Sequence, residues 1–167
     1  YSGGGGLAVS GAATGSVTIS NSTFSGNSAL YSGGVRFHNN LAPVSIVNST
    51  IAYNTGNESG GLQVLSTSIA PTVHNTIVAE NKNHGAAASD ALGSITAGSS
   101  YNLFGRGGSF GKTDNDANHN LVLTSTENAG LAPLGDYGGK TKTHALKGGS
   151  QSLEAGSDSL APALDQR

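Results

Sequence analysis

Apolar and polar residues alternate over short runs in this chain, and the runs come back at a fixed interval. Val17 and Ile19 alternate with Thr18 and Ser20, and Val44 and Ile46 with Ser45 and Val47. That is the period of two that buries one face of a β-strand. The pairs Gly5-Gly6, Gly33-Gly34 and Gly60-Gly61 each lead into a further alternating run: Leu7 and Val9, Val35 and Phe37, Leu62 and Val64. β-Branched residues dominate the runs, while Gly, Asn and Ser between them suit turns. No segment sustains a 3.6-residue pattern with helix caps.

The unit VTISNSTFSGN at Val17–Asn27 returns as VSIVNSTIAYN at Val44–Asn54 and as PTVHNTIVAEN at Pro71–Asn81, each copy 27 residues after the last. Self-similarity at such a period marks a solenoid. Together with the strand-like local period it predicts an all-β chain, a parallel β-helix of about 27 residues per coil. Equivalent positions then stack about 4.8 Å apart. Asn21, Asn48 and Asn75 share one position, and a further step of 27 reaches Asn102. We expect this row to be an amide ladder at a tight corner, a turn device and not a binding site, that uses the tolerance of Asn for the left-handed conformation. Asn27, Asn54 and Asn81 form a second row.

Residues 1–111 supply four coils, about 20 Å of stacked sheet. The fourth is irregular, with Asn83 to Ser89 as an inserted loop. Residues 112–167 are expected to hold the rest of an extended loop that begins at Arg106, a last strand at Leu121–Leu123, and a capping segment folded across the C-terminal side of the stack. The whole forms one continuous domain. Terminal coils need covering, because they expose unpaired backbone and an apolar cross-section.

Composition narrows the partners. Only 11% of residues are charged and the formal net charge is -2, so neither nucleic acid nor an anionic membrane is an expected partner. No apolar run approaches a membrane span. Cysteine is absent, which removes disulfide and thiol chemistry. Tyr1 leads straight into repeat sequence, as in a processed chain or a piece of a longer one. The 26 glycines would suit a disordered linker were the apolar positions not in register.

Candidate chemistry is sparse. β-Helix enzymes that act on acidic polysaccharides need clustered carboxylates, yet no Asp or Glu precedes Glu58, and Glu58 and Glu80 stand alone. A pectate-lyase-like enzyme is therefore the alternative and not the expectation. Asp114, Asp116 and Asn118 have the D-x-D-x-N spacing of a calcium loop, but His119 and Ser125 occupy the positions that should be Gly and Glu. Ca²⁺ is the one candidate cofactor, and a solvated polar loop is the plainer reading. His38, His74, His84, His119 and His144 show no zinc spacing, and His144 is expected to pack or bond within the cap. The sequons at Asn21, Asn48 and Asn57 mostly follow from the repeat. Thr18, Ser45 and Thr72 align as an ice-binding face would require, but their neighbours Ser20, Val47 and His74 do not. The glycines at 3–6 lack the Lys and helix of a phosphate loop.

From Gly93 to Gly105, Leu131 to Leu146 (LAPLGDYGGKTKTHAL), Gly149 to Gly156 (GSQSLEAG) and Asp165-Gln166-Arg167, the chain resembles the C-terminal part of choice-of-anchor Q domain proteins, bacterial β-helix proteins of the cell surface. Lys140 stands where that pattern has Pro, and Gln151 to Glu154 replace Pro-Ala-Ile-Asp. The resemblance implies a right-handed parallel β-helix, export, and display at or outside the cell surface, and it brings no catalytic residues. The expected function is that of a non-enzymatic structural or adhesive module. Its expected partners are surface glycans and further copies of itself, joined head to tail through the ends of the helix.

Overall fold

The computed structural model describes residues 3–11, 15–40, 42–164 and 166. The first coil carries β1 (Leu7–Ser10), β2 (Val17–Ser20), β3 (Thr23–Ser25) and β4 (Ser28–Ala29). The second carries β5 (Val35–His38), β6 (Val44–Val47), β7 (Thr50–Ala52) and β8 (Thr55–Gly56). β9 (Leu62–Leu65), β10 (Thr72–His74) and β11 (Ile77–Ala79) make the third. β12 (Ala91–Gly93) and β13 (Leu103–Phe104) make the fourth, and β14 (Leu121–Val122) adds one more rung on a single side.

Every ladder between these strands is parallel, and the sheet orders are β1-β5-β9-β12, β2-β6-β10, β3-β7-β11-β13-β14 and β4-β8. The chain is a parallel β-solenoid. Alternation sends Val35, Phe37, Ile46, Ile51, Leu62, Val73, Val78 and Phe104 into one continuous core. Close approach of successive coils explains the glycine pairs: a Cβ on Gly61 would run into the carbonyl oxygen of Asp90, and one on Gly34 would meet the Gly61 carbonyl oxygen at 2.6 Å.

The coil period is not constant. Ile77 pairs with Thr50 at a step of 27 but with Leu103 at a step of 26. Tyr101, not Asn102, therefore follows Asn75 at the corner, and this corrects the expected row. Asn21, Asn48, Asn75, Tyr101 and His119 all adopt the left-handed conformation, with φ between 48° and 57°. The row is the turn device expected, but it is not the amide ladder.

The ladder lies in the other asparagine row. Asn27 donates from its backbone N–H and its side-chain amide to Asn54 Oδ1 at 2.9 and 3.0 Å, and Asn54 does the same to Asn81 Oδ1 at 3.0 and 3.0 Å. Asn81 in turn donates to Asp90 Oδ1 at 2.8 and 3.0 Å. A second ladder runs beside the corner: Ser22 N–H to Ser49 Oγ, Ser49 N–H to Thr76 Oγ1, Thr76 N–H to Asn102 Oδ1, and Asn102 to Asn120 Oδ1. Asn120 passes its donors to Asp116. Both ladders point the same way along the stack and both end on a carboxylate. A carboxylate has only acceptors to offer at neutral pH, so it closes a row of donors without leaving one over.

The segment after residue 129 covers the stack along its side. It folds back along the flank over the β3-β7-β11-β13-β14 sheet. Ala129 N–H bonds Glu80, His144 bonds Ser25, and Gln166 accepts from Thr23. A second apolar cluster, Ala52, Ala79, Leu103, Leu123, Ala129 and Leu131, packs part of the interface, so β7, β11 and β13 have buried side chains on both faces. The C-terminal end of the stack is covered by the loop before β14. There Phe110 lies edge-on to Phe104 at 5.7 Å and Lys112 Nζ bonds the carbonyls of Thr96 and Ala97. At the other end Leu7, Val9, Val17 and Phe24 are only half-buried, and the β1, β2 and β3 edges are unpaired among the described residues.

Candidate functional site

Folding back leaves a gap. Between the flank sheet and the returning strap lies a cleft of about 660 Å³, partly open to solvent. Its floor is the left-handed corner column, Asn21, Asn48, Asn75 and Tyr101, together with the outward side chains of β3, β7, β11 and β13. Its roof comes from Thr143 to Leu146 and from Ser152 to Asp158.

The strap is tied at both ends of this column. Asn75 Nδ2 donates to Ser157 O at 2.8 Å and Ser157 N–H donates to Asn75 Oδ1 at 2.9 Å, so the side chain pairs with a backbone segment as a neighbouring strand would. Asn21 Nδ2 donates to Leu164 O. Between these ties the chain makes a 3₁₀ turn at Asp158–Leu160, and Asn48 Oδ1 has no partner among the described residues. His144 holds the near side: its ring accepts or donates at Ser25 Oγ (2.8 Å) and at Ala132 O (2.7 Å), with the Tyr53 ring 5.1 Å away. The carbonyl requires an N–H at Nδ1, which leaves Nε2 of the neutral ring to accept from Ser25. His144 thus bonds as expected and also joins the strap to the first coil.

Four buried side-chain oxygens have no hydrogen-bond partner among the described residues: Asn21 Oδ1, Asn48 Oδ1, Thr143 Oγ1 and Ser152 Oγ. All four residues line the cleft. Buried polar atoms are nearly always paired, so their concentration in one place marks it.

The predicted calcium residues are used differently. Asp116 accepts from Asn118 N–H and from Asn120, Asp114 accepts from Val122 N–H at 3.0 Å, and Asn118 donates its side-chain amide to Ala97 O. Burial works to raise the Asp116 carboxyl, but the bonds from Asn120 and Asn118, with Lys112 nearby, outweigh it and hold the group below the ordinary carboxylate range. Among the described residues no group of three or more His, Cys, Asp or Glu is placed to hold a metal ion.

Glu80, isolated in the sequence, shares a small pocket of about 60 Å³ with Asp90, Lys82 and Arg106. Burial pushes the Asp90 carboxyl up, against the hydrogen bonds from Asn81 and Gly107. Its Oδ1 closes the asparagine ladder and its Oδ2 takes Gly107 N–H at 2.8 Å. Glu80 Oε1 takes Ala129 N–H at 2.9 Å. Thr18, Ser45 and Thr72 do stack in register, over three rungs.

Sequence reasoning found the corner asparagines but not the cleft, since nothing in the chain's periodicity says where the non-repeating segment will lie. No family model, curated protein or solved structure matches this chain. What the fold defines is a parallel β-solenoid with a strapped flank.

Proposed function

We propose that the chain is a non-enzymatic structural or adhesive module, exported and displayed at or outside the cell surface, with the flank cleft as its recognition surface. The observation that carries this reading is the gathering of unpaired oxygens from Asn21, Asn48, Thr143 and Ser152 in one solvent-connected cleft. A rigid stack with a polar slot is suited to holding a ligand, and pockets of a few hundred to a thousand Å³ are the usual size for doing so. The likeness of residues 131–146 to the surface-protein pattern supports display. No helix among the described residues is long and apolar enough to cross a membrane.

Self-association would draw on the N-terminal face of the described stack, where the β1, β2 and β3 edges are unpaired among the described residues and Leu7, Val9, Val17 and Phe24 are half-buried. Joining head to tail would require the 106–120 loop to leave the opposite end. The alternative, a polysaccharide-active enzyme, draws on the meeting of Glu80, Asp90 and Arg106. There, however, the carboxylates already serve the ladder and the strap.

The test is to incubate the purified chain with acidic polysaccharides and, separately, with intact cells and immobilised surface glycans. Retention on a surface with no loss of polymer length is the expected result. Shortened polymer or new unsaturated ends, abolished by Asp90→Asn, would install the enzyme reading instead.

A further inference from the structure

The corner column makes three equivalent offers: that of Asn75 is met in full, that of Asn21 by its donor alone, and Asn48 Oδ1 has no partner among the described residues. Asn21, Asn48 and Asn75 share one backbone conformation, with φ of 48°, 50° and 49°, and successive rungs place them about 4.8 Å apart. Asn75 shows what such an amide does in this cleft: it exchanges a donor and an acceptor with one stretch of extended backbone at Ser157. Asn21 takes a backbone carbonyl at Leu164. Between those ties the strap makes its 3₁₀ turn, and Asn48 keeps a buried Oδ1 with no partner among the described residues. Thr143, 6% exposed, and Ser152 also line the cleft, each with a buried hydroxyl that has no partner among the described residues.

We propose that the cleft binds an extended polypeptide segment of a partner protein, whose backbone amide pairs with Asn48 as Ser157 pairs with Asn75 and whose further polar groups meet Thr143 and Ser152. The chain's own backbone fills the neighbouring positions, so a peptide is the occupant the floor is already shaped for. Charge narrows it. Among the described residues the ionisable ones lining the cleft are Tyr101, His144, Glu154 and Asp158, with no Lys or Arg, so the segment is neutral or basic. Main-chain pairing supplies affinity in this mode, with flanking pockets giving selectivity. The inference rests on the cleft being the recognition surface, and it names the class of partner.

The probe is a library of N-acetylated, C-amidated hexapeptides, titrated into the intact chain while side-chain amide and Thr143 resonances are followed. Neutral and Lys-containing peptides should bind, shift the Asn48 amide signals, and weaken by tenfold or more in Asn48→Gly. Glycine keeps the left-handed corner accessible, so this variant should fold, as unchanged core resonances would show. Asp-rich and Glu-rich members should bind at least tenfold more weakly than basic ones. Failure of every peptide, or equal affinity in wild type and Asn48→Gly, would overturn the inference, as would preferential binding of a neutral N-acetylated oligosaccharide in its place. Surface retention that persists without peptide binding would leave the adhesive reading standing and remove only this one, whereas cleavage of polysaccharide would remove the adhesive reading itself.

Discussion

Asn120 gives Asp116 both its backbone N–H, at 3.0 Å, and its side-chain amide, at 3.1 Å, and it is fully buried as it does so. Asp116 is thereby the final acceptor of a row that starts at Ser22, four rungs away. Calcium at this loop would have to displace those bonds. Neither added Ca²⁺ nor a chelator should move the thermal midpoint, and Asp116→Ala should cost about 2 kcal/mol, the penalty for stranding buried donors. The folded carboxyl lies below its unfolded value, so its stabilisation is present above about pH 4 and fades as acid takes the pH through the folded value. Calorimetry across pH, with and without metal, checks all three expectations.

The central rung of the other ladder should be the most sensitive position in the molecule. Asn54 is wholly buried, accepts twice from Asn27, and donates to Asn81 Oδ1 and Phe24 O. Asn54→Ala should lose about 3 kcal/mol, because several buried groups lose partners together. Asn57→Ala, at an exposed position, should change stability by less than about 0.5 kcal/mol. Urea midpoints at constant m-value measure both.

Untying the strap should be a local event. Asn75→Gly keeps the corner but removes both bonds to Ser157. Amide exchange at residues 155–161 should quicken by tenfold or more while exchange in β7 and β11 stays slow, with about 1 kcal/mol lost overall. Hydrogen exchange read residue by residue separates this from general loosening.

His74 supplies a second pH dependence of the same sense, at higher pH. Burial lowers its affinity for a proton, opposed by a hydrogen bond with the Ser100 backbone, and Ser100 Oγ lies 2.8 Å from Nδ1. Above about pH 6.5 both folded and unfolded rings are neutral. Below it the unfolded chain takes the proton first, so stability should fall with pH in that window. His74→Gln should flatten this part of the profile, and identical slopes for the two proteins would contradict the assignment.

The strands, their parallel stacking and the core positions were legible because burial on one face imposes a period that recurs with every coil. Asn102 misled because its identity matched the 27-residue step while the chain had shortened by one residue, which put Tyr101 at the corner and Asn102 in the hydroxyl row beside it. The two asparagine rows look alike in sequence, and only the hydrogen-bond geometry separates the ladder at Asn54 from the corner at Asn48. Leu131 and Leu146 identify an apolar segment but not the surface it meets. The cleft was therefore beyond reach: its floor repeats, but its roof does not.

The one-way running of the two ladders gives the stack a grammar. Every rung speaks with N–H groups toward the covered end and listens with an oxygen toward the open one, and Asp90 and Asp116 are full stops that admit no further clause. A rung added at the Asn27 end must arrive with a paired N–H and amide in hand, as Asn does. A flat apolar surface would meet the exposed core there and still leave the acceptors unanswered.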